Sequence, residues 1–183
     1  MDALKGLDAL PEPAALAAFL RCCGSRRWAE AMVRGRPYGD EGTLRAAAEQ
    51  AFAPLAREDW LEAFSHHPRI GARGALAARF AVPPSERPSD SRGQAREWAA
   101  GEQGGVAGAG EEVLNALVGA NRDYEARFGY IFIVCATGKG AEQMLALLRS
   151  RLSNDSDAEL LIAAGEQREI TRIRLKKLLT EVA

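Results

Sequence analysis

"YIFIVCA", residues 130–136, lies between Gly129 and Gly138 and is the one stretch that could make this chain something other than helical. It is an unbroken apolar run rich in β-branched and aromatic side chains, which in isolation reads as a buried strand. A strand needs a partner. No second run of this kind occurs, and one strand makes no sheet. The segment is therefore read as extended or irregular backbone threaded between helices. Its N–H and C=O groups then need partners from helix ends, side chains or a ligand, which makes it a candidate pocket wall.

Working outward, Ala, Leu, Glu and Arg dominate the flanks and favour helix. "EEVLNALVGANRDYEARFG" (111–129) precedes the segment; "GAEQMLALLRSRL" (140–152) and a long helix from Asp157 to about Thr180 follow it. Upstream, "PEPAALAAFLRCCG" has prolines at its entry and Gly24 at its end. "SRRWAEAMVRG" is capped by Ser25, a third helix runs from Thr43 to about Ala53, and "REDWLEAFSHH" ends at Pro68. "ARGALAARF" (72–80) reads as a brief fifth helix, and "QAREWAAGEQ" resumes helix after a Pro/Ser-rich loop at about 82–93. The expectation is an all-α, single-domain helical bundle over residues 1–183 with one buried extended segment near 130–136.

The composition narrows the function. Lys and Arg number 24 against 25 Asp and Glu, a balance that gives no long-range field for nucleic acid or an anionic membrane. No run of 18 apolar residues occurs, the N-terminus lacks the pattern of a signal peptide, and the C-terminus carries no peroxisomal tripeptide. Three cysteines, two of them adjacent (Cys22, Cys23), fit a reducing cytoplasm and core packing.

Three side chains stand out. The only two histidines are neighbours, in "FSHHPRIGAR" (64–73). Adjacent residues point in different directions and make a poor chelate, so no metal site is expected. Pro68 pushes His67 out of the α region and puts its ring at a loop edge, suited to a positioned acid or base; a surface histidine at a helix end is the plainer alternative. Glu102 shares a face with Trp98 and Val106, where a carboxylate needs a cation or a proton; a solvated Glu at a Gly-rich helix end is the alternative. Arg174 falls in an apolar stripe between Ile170 and Leu178, with Arg172 turned about 200° away. An arginine facing a core needs an anion, from a ligand or from an internal salt bridge.

"HPRIG", the Glu102-Gln103 pair, "NRDYEARFGYIFIVCATGKGAEQML" and "EITRIRLKKLL", in that order, resemble the OHCU (2-oxo-4-hydroxy-4-carboxy-5-ureidoimidazoline) decarboxylase family of urate degradation, from about Phe64 to Leu179. The resemblance implies an all-α homodimer, of bacterial type, that uses no cofactor or metal and releases CO2 from OHCU to give (S)-allantoin. It implies catalytic roles for His67, Glu102 and Arg174. It implies substrate contacts from Pro68, Gln103, the position of Ala99, and the stretch Phe132, Ile133, Val134, Cys135 and Ala136. Ala99 is a departure, since many relatives carry serine there. The rival readings are a non-catalytic helical module that binds a purine-derived ureide, and a related ureide lyase or hydrolase.

Overall fold

The computed structural model describes residues 3–70, 91–102 and 110–181. In chain order the helices of these residues are α1 (Ala3–Asp8), α2 (Glu12–Cys22), α3 (Arg26–Arg34), α4 (Glu41–Phe52), α5 (Arg57–Ser65), α6 (Ser91–Glu102), α7 (Glu111–Phe128), α8 (Ala141–Arg151) and α9 (Ser156–Glu181). No strand is present among the described residues, and none of these helices is long and apolar enough to cross a membrane. The all-α expectation holds. The brief helix at 72–80 and most of the 82–93 loop lie outside the described residues; residues 91–93 are already the first turn of α6.

Local chemistry sets most boundaries. Ser25 caps α3, its Oγ accepting from Trp28 N at 3.3 Å. Helix α4 starts at Glu41, before the expected Thr43, because Asp40 is the cap: its Oδ1 accepts from Thr43 N at 2.8 Å. At the end of α7, Gly129 takes φ 80°, a left-handed stop that a side chain would resist. Helix α1 was not expected. Leu4 and Leu7 bury themselves against the bundle, and Arg36 Nη1 takes up the carbonyls of Leu7 (3.2 Å), Asp8 (3.3 Å) and Leu10 (2.7 Å) that the short helix leaves open.

Helix α9 is the element on which the site depends. At 26 residues it is about 39 Å long. It packs on α1, α2 and α5, while α6 packs on α2. Trp28 and Phe52 stack at 5.5 Å, and Phe52 and Trp60 at 5.4 Å, in a core that also holds Phe19, Met32 and Leu44. A second aromatic group, Tyr124, Phe128, Tyr130 and Phe132, surrounds the start of the 130–136 stretch.

That stretch is irregular backbone, as its lack of a partner strand requires. Side chains satisfy its polar groups. Arg151 Nη1 donates to Ile133 O at 2.9 Å, Cys135 N donates to Glu166 Oε2 at 2.7 Å, and Lys139 Nζ donates to Cys135 O at 2.7 Å. Arg151 is held in turn by fully buried Glu159, which also accepts from Tyr124 OH and, at 2.8 Å, from Asn154 Nδ2. Every charge in this network has a partner, the condition under which buried ions are tolerated. The arginine also lies 4.7 Å from the Phe132 ring, so one residue fixes the segment through both backbone and side chain.

Candidate functional site

Helix α5 ends at Ser65, with His66 as its cap and His67 in the following turn before Pro68. The turn is fastened at three points. Arg69 pairs with Glu125 of α7 through Nε (2.5 Å) and Nη2 (2.7 Å). Asn121 Nδ2, buried on α7, donates to Ile70 O at 3.1 Å. His66 packs on the backbone of Gly24, where a Cβ would come within 2.4 Å of its Cγ. The close approach requires glycine at position 24 and gives His66 a structural task.

His67 Nε2 lies 2.8 Å from Oε1 of Gln167, a fully buried residue of α9. Packing around the ring, and next the Arg174 guanidinium, push its pKa down to about 3. The imidazole therefore rests neutral near pH 7. The sign of the linkage follows. The unfolded chain binds a proton at about pH 6.5 that the folded chain refuses down to about pH 3, so His67 lowers stability as pH falls through that window. The slope from one such group is at most about 1.4 kcal/mol per pH unit. Urea unfolding at pH 7 and pH 5 should show wild type losing more stability than His67→Asn between the two; equal losses would contradict the neutral ring.

Arg174 sits where the stripe predicts, buried between Ile170 and Leu178, with an exposure of 1 %. It forms a forked salt bridge with Glu102, Nε to Oε1 at 3.2 Å and Nη2 to Oε2 at 3.0 Å. Lys177, one turn on, donates to the same Oε1 at 3.0 Å. Glu102 is the last residue of α6, and its side chain is 8 % exposed. Its helix is stapled in place. Arg21 of α2 lies 4.4 Å over the Trp98 ring, and Trp98 Nε1 donates to Glu181 Oε1 at 3.1 Å. On the opposite face of α9, exposed Arg172 pairs with Glu49 and Glu169.

The ends of α5 and α6 thus meet the middle of α9. Arg174 is the group they share: it holds Glu102 directly and acts electrostatically on His67. The hydrogen bonds form two separate pairs, His67–Gln167 and Glu102–Arg174, and His67 and Glu102 are linked through the field of Arg174. Along the wall, Phe132, Ile133, Val134 and Ala136 are buried in the core, and Cys135 alone of the five is partly exposed. Ala99 is buried on α6, Pro68 follows His67 in the turn, and Gln103 lies outside the described residues. Gln167 and Lys177 were not singled out in the sequence. Gln167 had a signal, a polar side chain two turns before Arg174 in the same apolar stripe.

Comparison with known proteins gives a consistent picture. A family model described as OHCU decarboxylase matches residues 8–176. The uric acid degradation bifunctional protein of Arabidopsis thaliana is 35 % identical over 162 residues, covering 88 % of this chain and 46 % of the plant protein. The chain thus spans about half the length of that relative. The 2-oxo-4-hydroxy-4-carboxy-5-ureidoimidazoline decarboxylase of Amia calva is 28 % identical, covering 82 % of this chain and 79 % of that one. A crystal structure of OHCU decarboxylase in the presence of (S)-allantoin superposes with a TM-score of 0.69 at 32 % identity, covering 88 % of this chain and 96 % of that one.

Proposed function

We propose that this chain, which belongs to the OHCU decarboxylase family, is a cofactor-free carboxy-lyase that converts OHCU to (S)-allantoin and CO2. The observation that carries the reading is the meeting of a neutral histidine with a buried, forked Arg–Glu pair on one stretch of α9. OHCU carries its own electron sink. When the bond to the carboxylate breaks, CO2 leaves and the electron pair passes into the conjugated ring. The hydroxyl then becomes a carbonyl as its proton moves to the neighbouring ring carbon, and the reduced ring nitrogen takes one proton from solvent.

Neutral His67 suits the internal transfer, since it takes the hydroxyl proton and returns it to carbon, ending as it began. Arg174 offers the N–H groups of its guanidinium that Glu102 does not take to a carboxylate or a ring oxygen. Glu102 holds the guanidinium plane in place and balances its charge. The wall at 132–136 and Pro68 close the pocket, with Cys135 the partly exposed contact. The proposal extends to a homodimer of bacterial type in the cytoplasm, and the free thiols of Cys22, Cys23 and Cys135 suit a reducing compartment.

The test is CO2 release and (S)-allantoin formation from OHCU freshly generated by a urate-oxidising system, measured against spontaneous decay. The expected result is acceleration with an excess of the S enantiomer. Tight ureide binding with no acceleration would favour a non-catalytic module, and turnover of a different ureide would favour a related lyase or hydrolase.

A further inference from the structure

We propose that Gln167 and Thr171 set the tautomer of His67, holding the resting imidazole as its Nε2–H form and leaving Nδ1 as the nitrogen that exchanges protons with substrate. The catalytic meaning of this rests on the function proposed above; the tautomer itself does not.

Gln167 and Thr171 are both fully buried and lie one turn apart on α9. A hydroxyl has one hydrogen to give. Thr171 gives it to the backbone carbonyl of Gln167, at 2.8 Å. What Thr171 Oγ1 then offers to the Gln167 side chain, 3.3 Å away at Nε2, is a lone pair. The amide must turn its NH2 toward Thr171, and its oxygen therefore faces His67 at 2.8 Å. That oxygen accepts and cannot donate, so the hydrogen between the two side chains belongs to His67 Nε2. Turning the amide over would set Oε1 against a hydroxyl oxygen whose hydrogen is already used, leaving buried polar groups unsatisfied.

Cys23 is the other group near the Thr171 hydroxyl. Burial pushes its thiol up to about 11, so it stays protonated and is a weak acceptor for that hydrogen. The charged and titratable groups that bear on His67 are Arg174 from α9 and His66 beside it, and both oppose a second proton on the ring. Nδ1 is thus left with its lone pair. Gln167 and Thr171 act through His67 and are positioning residues.

The chain has two histidines, so long-range proton–nitrogen correlation NMR on uniformly 15N-labelled protein, assigned with His66→Asn, resolves the ring directly. At pH 7 and without substrate, the expected pattern for His67 is a protonated nitrogen at Nε2 and an unprotonated one at Nδ1. A protonated Nδ1 overturns the proposal. Thr171→Val removes the lone pair but keeps the shape; it should yield mixed or reversed tautomers and lower kcat by about tenfold or more with KM little changed, as a wrong histidine tautomer does. Thr171→Ser should restore both. Gln167→Glu offers only acceptors to Nε2 and should keep the Nε2–H form. An unchanged tautomer in Thr171→Val, or a reversed one in Gln167→Glu, also overturns the relay. The expected tautomer in a protein that does not accelerate OHCU decay would sink the proposed function and leave the relay standing.

Discussion

His67→Asn is expected to abolish most of the proposed turnover of OHCU, by about two to four orders of magnitude, while the protein keeps its fold; His66→Asn should leave turnover within a few-fold of wild type. The contrast follows from two neighbours with different tasks. His67 is placed past the end of α5 by Pro68, hydrogen-bonded to Gln167 and held neutral by its surroundings. His66 caps the helix and packs on Gly24. Its replacement loosens the turn, so a small loss of stability is expected from the second variant and almost no loss of chemistry. Asparagine ends near the Nδ1 position, so His67→Gln, whose longer amide reaches toward the Nε2 position, is the companion variant that separates loss of proton transfer from loss of the Gln167 contact. Equal loss of turnover in the two asparagine variants, measured per folded molecule, would remove His67 from its proposed role.

Much of this arrangement was legible in the sequence, for physical reasons that can be named. The 130–136 stretch could not be a strand because nothing existed to pair with it, and the demand it placed on its surroundings is met by Arg151, Glu166 and Lys139. Arg174 stood in an apolar stripe with a period of one helical turn, and burial with a counter-ion was the consequence. The ends of helices were legible where a side chain makes the cap, as at Ser25, and displaced where an acidic cap preceded the expected start, as at Asp40.

What stayed hidden depends on contacts far apart in the chain. Helix α1 is too short to announce itself by periodicity, and it exists because Arg36 closes its carbonyl end across 26 to 29 residues. Lys177 as a second cation on Glu102 reads locally as one more exposed lysine. The internal salt bridge read for Arg174 is met by Glu102; that Glu102 would not also bond His67 is a matter of where α6 meets α9, which no local pattern encodes. Gln167 is the instructive miss, since "GEQREI" looks like ordinary helix until the stripe through Ala163, Ile170 and Arg174 is drawn through it.

The pair at the centre of α9 gives the second large effect. Glu102→Gln keeps the shape of the side chain and removes its charge, and it should cost about two orders of magnitude or more in rate. Arg174→Lys keeps the charge and removes the planar fork, and turnover per folded molecule should fall by at least about tenfold, because a lysine cannot make two parallel bonds to one planar partner. Stability must be read alongside. Arg174 is 1 % exposed, and stripping a buried ion of its partner costs about 3–5 kcal/mol. Lysine retains the cation and Lys177 stands beside it, so Arg174→Lys should lose appreciably less than that. Arg172→Lys is the internal control: it is exposed on the outer face of α9, paired with half-buried Glu49 and exposed Glu169, where surface pairs contribute about 0–1 kcal/mol, and it should be nearly silent in both measurements. A clamp for the substrate predicts that Arg174→Lys also weakens binding of (S)-allantoin while the fold survives. If Arg174→Lys collapses stability yet leaves turnover per folded molecule and allantoin affinity intact, the forked pair with Glu102 is a structural salt bridge. Anion binding would then have to come from Lys177 or from the backbone at 132–136.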